Sequence, residues 1–96
     1  MSDNQYDFLK HKHNFSDDQI HMIKGFDKIA SQYGSIQHMI EESMRMRRDG
    51  ILSSNALKVL DAAIMWQMVI GMMKNKQPRN TVNVLISKIN ALMSDL

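Results

Sequence analysis

The chain has no cysteine, so disulfide frameworks, thiolate nucleophiles and cysteine-held zinc are excluded at once. One proline and four glycines in 96 residues leave too few turn formers for an all-β sandwich. Long apolar runs are also missing. The longest uncharged stretch, Ala62 to Met73, is twelve residues long, against roughly 20 needed to cross a bilayer as a helix. A buried helix is expected there, not a span. The N-terminus lacks the apolar run of a secretory signal, which makes a cytoplasmic setting the expectation. Aromatics reach only 6% and never interleave with basic residues in the way that stacks single strands.

What the chain does have is apolar material, 44% of its residues, in an 11.1 kDa unit that makes one domain. That is enough for a packed core and excludes wholesale disorder. Ten methionines are unusual for a chain of this length. The fold class expected is all-α, a small bundle of three to four short antiparallel helices behind a flexible polar tail over residues 1–14. Phe8 and Leu9 are the tail's apolar anchors.

The first helix, over about 16–33, starts at a capping box of Ser16 and Gln19, with Phe15 and Ile20 placed for a hydrophobic staple. Asp17 and Asp18 suit the dipole of its first turn. Ile20, Ile23, Phe26, Ile29, Ala30 and Tyr33 recur at three and four residues, and Gly34 is the stop. A second helix, over 35–48, is capped by Ser35, or else continues the first through a kink at Gly34. It carries Ile36, Met39, Ile40 and Met44 on one face. The third, over 54–75, is capped by Ser53, Ser54 or Asn55. At 100° per residue Leu57, Leu60, Ile64, Met68 and Gly71 share one face, with Val59, Ala63, Trp66, Ile70 and Met73 roughly opposite. A helix apolar on both sides is central in its own domain or half-buried in a partner. The fourth, over 81–95, is capped by Asn80 or Thr81 and carries a seam of Val82, Leu85, Ile89, Leu92 and Leu96, widened by Ile86 and Met93.

No arrangement of side chains points to catalysis. Adjacent Glu41 and Glu42 diverge by about 100° on a helix and cannot flank one substrate. Neither a glycine-flanked serine elbow nor a phosphate-cradling glycine loop is present. The histidines, His11, His13, His21 and His38, never stand at the i, i+4 spacing that brings two imidazoles to one metal. No cofactor and no metal are expected, and the chain is expected not to be an enzyme.

Two surfaces remain. Formal charge rises from −2 over residues 1–20 to +3 over 51–96, and six cations form two clusters: Arg45, Arg47 and Arg48, then Lys74, Lys76 and Arg79. A basic nucleic-acid binder would use these, but an up-down bundle places the clusters at opposite poles. The favoured expectation is a protein-binding module. Methionines 65, 68, 72 and 73 surround Trp66, and such side chains adapt to partner surfaces and concentrate at interface centres. The contact face expected is Val59, Trp66, Val69, Ile70 and Met73, meeting another protein or a second copy, as a homodimer or higher oligomer. In size and class the chain resembles secretion chaperones, anti-activators and phage-encoded inhibitors, an analogy that supplies no site residue.

Overall fold

The computed structural model describes residues 4–96, in five α-helices and, among the described residues, no strand. They are α1 (Asn4–His13), α2 (Asp17–Tyr33), α3 (Ile36–Asp49), α4 (Ser54–Lys74) and α5 (Arg79–Ser94). The all-α expectation holds, and the helix count rises to five.

The additional helix is α1, where a tail was expected. Its ten residues fall short of the roughly 12–15 at which an isolated helix becomes even marginal in water. Packing therefore holds it: Leu9 is fully buried and Tyr6 nearly so. Asn14 ends it in the left-handed region (φ 60°), which asparagine tolerates, and the Phe15 N–H donates to the Leu9 carbonyl.

The capping signals are realised at the next three helices. Gln19 N donates to Ser16 Oγ at 3.1 Å, and Ser16 N donates back to Gln19 Oε1 at 2.9 Å, closing the capping box. Ser35 and Ser53 accept from the backbone N–H groups of His38 and Ala56. Gly34 (φ 84°) separates α2 from α3, so the two helices are not one kinked rod. The start of α5 differs from expectation. It follows Pro78 without a side-chain cap, because the fixed proline φ already sets the entry and Asn80 and Thr81 lie inside the helix.

Helix α4 is central and packs against α2, α3 and α5. The core joins Leu9 and Phe15 to Ile23, Phe26, Met39, Ala62, Ala63, Trp66 and Val69. The α5 face that closes it is Val82, Ile86, Ile89 and Met93. Val82 and Ile89 belong to the seam read in the sequence, and Ile86 and Met93, which widen that seam, take the inward places in preference to Leu85 and Leu92. Leu85 and Leu92 consequently sit half-buried and Leu96 is exposed.

Candidate functional site

The hydrogen-bonding centre of the bundle is Asp27, a half-buried carboxylate on the inner side of α2. It accepts from Trp66 Nε1 at 2.8 Å, from Gln67 Nε2 at 3.0 Å and from the Tyr6 hydroxyl. The Tyr6 ring stacks on Trp66 with centroids 6.2 Å apart. One carboxylate thus ties α1 and α4 to α2, and it satisfies the indole N–H that burial would otherwise strand. Replacement by asparagine (Asp27→Asn) keeps the shape, but it removes the charge and one acceptor oxygen. That variant is expected to lose about 1–2 kcal/mol of stability, readable as a lower urea midpoint at unchanged helicity.

This arrangement decides where the expected contact residues lie. Trp66 and Val69 are both 0% exposed, and Val59, Ile70 and Met73 are half-buried against the same core. Trp66 and Val69 therefore belong to the domain's own interior and cannot form a contact face on the folded chain. The sequence offered two apolar faces of α4. The polar anchor that selects the Trp66 side for the interior is Asp27, 39 positions away.

The side of α4 that stays open carries Met68, which is 41% exposed, with Met72 half-buried one turn on. Across a shallow groove of about 520 Å3, α5 supplies Val84, 54% exposed, and Leu85. Asn80 and Thr81 are the polar residues of this groove. Because Ile86 takes the inward place on α5, Val84 faces solvent and Leu85 lies half-buried beside the α4 methionines. Met44, in the second half of α3, and Ile51, in the loop after it, are two further exposed apolar side chains.

Helix α4 has few buried residues for so apolar a segment. Its best 18-residue window has a mean hydropathy of 1.4, and 22% of that window is buried. By length and composition it would suffice to cross a membrane, with Lys58 and Asp61 as the charged residues that interrupt it before Lys74.

The six cations divide. Arg45 bonds Glu42 at 2.7 Å and lies 3.8 Å from Asp49. Arg47 pairs with Asp61 of α4, and Arg48 lies 3.6 Å from Asp49. The first cluster is thus largely matched by carboxylates. Lys74, Lys76 and Arg79, all exposed, belong to the α4–α5 connection. Asp61 precedes Lys74 by thirteen residues on α4, so at 1.5 Å per residue the clusters stand about 20 Å apart along the helix. They do not form one basic face.

Among the described residues no group of three His, Asp or Glu side chains is placed to hold a metal ion. His13, half-buried at the end of α1, is held below the ordinary imidazole value of 6.5, first by burial and then by the charge of Lys12. Its ring meets Phe8 edge-on, with centroids 5.8 Å apart. In comparisons with known proteins, no family model, no curated protein and no solved structure matches the chain.

Proposed function

We propose that the chain is a cytoplasmic, non-enzymatic helical interaction module that binds or masks a partner protein and associates with a second copy of itself. The observation that carries this reading is the open side of α4. Met68 and Met72 of the most apolar helix, α4, share one solvent-facing groove with Val84 and Leu85 of α5. Burying one such side chain fully is worth about 1.5–3 kcal/mol, so an apolar cover is favoured. A strip shared by two antiparallel helices can meet its own copy across a two-fold axis, which needs one self-complementary patch only. Methionine supplies the adaptability that fits both a second copy and a different partner. The basic nucleic-acid reading is the weaker alternative, because carboxylates accompany half of its cations.

Solution mass by light scattering, over a wide concentration range and at two salt levels, tests the self-association. A dimer or larger species insensitive to salt is expected. Met68→Asp and Val84→Asp are each expected to give a monomer of unchanged helicity, because both side chains already touch solvent. A wild-type monomer at every concentration would remove the self-contact.

A further inference from the structure

We infer that the cleft between the end of α1 and the α4–α5 turn is a docking site for an acidic segment of a partner protein, with one apolar side chain as its anchor. The inference rests on the interaction-module reading and names the chemistry of the partner. The cleft encloses about 630 Å3, within the range of sites that bury a small ligand or a side chain. Phe8, Met73 and Val82 are its deeper, apolar part: Val82 is 8% exposed and the other two are half-buried. Lys12, Lys76 and Arg79, all exposed, stand at the rim, with His13 beside them. Gln77 and Asn83 complete the lining, so it contains no carboxylate.

Lys10, Arg45, Arg47, Arg48 and Lys58 each have a carboxylate within 4 Å. Among the described residues Lys12, Lys76 and Arg79 have none, and neither do Lys28, Lys74 and Lys88; what sets the three apart is that they come from two separate parts of the chain and line one recess. Three cations around a recess that also carries Phe8, Met73 and Val82 complement a ligand with carboxylates outside and one apolar group inside.

The backbone adds a second observation. The turn after α4 is a Schellman motif: Lys76 N donates to the Met73 carbonyl, and Gln77 N to the Met72 carbonyl. Its left-handed position, φ 56°, is held by Lys76, whereas α2 and α3 end on Gly34 and Gly50 at the equivalent place. A glycine would adopt that conformation without strain. A lysine there aims a charge at the cleft at a conformational cost, the pattern of a functional position.

A protein segment suits this cleft better than the other polyanions. Binding to nucleic acid grows with the number of phosphates that cations neutralise, and among the described residues this end of the molecule offers Lys12, Lys74, Lys76 and Arg79 only. A bilayer surface would need apolar side chains projecting beyond the cations, and here they lie beneath them.

Fluorescence anisotropy on the full chain tests this. The probe is a labelled peptide in which a Phe-Leu pair is flanked by glutamates. Saturable binding is expected, weakened at least about tenfold by Lys76→Glu with Arg79→Glu, and similarly when glutamine replaces the glutamates or serine the Phe-Leu pair. Lys12→Glu, on the other wall, is expected to weaken it as well, and a lysine-flanked peptide to regain binding to the doubly reversed chain. These cations are exposed, and circular dichroism checks that each variant folds. The inference is overturned by a probe that does not bind, or by binding indifferent to the reversals. It is also overturned if oligothymidine or phosphatidylserine vesicles bind more tightly and with the same dependence on Lys76 and Arg79. A wild-type monomer that still binds the peptide would remove the self-contact and leave the docking site standing.

Discussion

Trp66→Ala is expected to lower the unfolding free energy by about 3–5 kcal/mol, the usual range for removing a buried indole. At ~0.05–0.15 kcal/mol per residue a chain of this length holds about 5–14 kcal/mol in total, so this single change takes a large share. Three losses combine in it. The ring is 0% exposed, its N–H donates to Asp27, and its face stacks on Tyr6. Truncation leaves a cavity where α1, α2 and α4 meet, with the Tyr6 ring unsupported beside it.

Trp66→Phe separates packing from hydrogen bonding. Phenylalanine refills most of the volume but cannot donate, and Asp27 keeps Gln67 and Tyr6 as donors. A loss of about 1–2 kcal/mol is expected. Urea titration followed by far-ultraviolet circular dichroism measures both variants. In the wild type the sole tryptophan should emit at short wavelength and resist iodide quenching. A Trp66→Ala cost below about 1 kcal/mol would match a surface position and return the indole to the contact face.

The boundaries of α2, α3 and α4 were legible because local chemistry sets them. Serine caps, the Ser16–Gln19 box and the left-handed glycines act within a few residues of the helix ends they fix. What the sequence could not supply was orientation. Both faces of α4 are apolar, and the choice between them follows from Asp27 accepting the Trp66 N–H, a contact between distant positions. The same limit explains α5, whose apolar stripe is broad enough that either Leu85 and Leu92 or Ile86 and Met93 could join Val82 and Ile89 on the inner face. The Lys12, Lys76 and Arg79 cleft escaped for a related reason. Lys76 and Arg79 were visible as a cluster, but Lys12 joins them only because α1 folds back against the bundle. The one sequence signal available there was a helix ending on lysine, without a glycine to take the left-handed turn.

Leu9→Ala is expected to cost about 2–5 kcal/mol, an effect that residues 4–13 could not have as a tail. Helix α1 is amphipathic only weakly: Tyr6 and Leu9 face inward, with Phe8 partly covered, while Asp7, Lys10, His11 and Lys12 remain in solvent. So short a helix has no stability of its own, and its order derives from those contacts. Tyr6 adds the stack on Trp66 and the bond to Asp27, and Asn90 of α5 donates to the His13 carbonyl at 3.3 Å. Since α1 thereby touches α2, α4 and α5, losing Leu9 should weaken the whole bundle and not a detached segment. Tryptophan emission and circular dichroism should then shift to the same lower urea midpoint. Trypsin provides an independent reading at Lys10 and Lys12, which are exposed yet helical. Cleavage there should be slow in the wild type and fast in the variant, because a protease needs the helix to open. An independent tail would give the opposite pair of results: rapid cleavage of the wild type, and a Leu9→Ala cost within about 0.5 kcal/mol of zero.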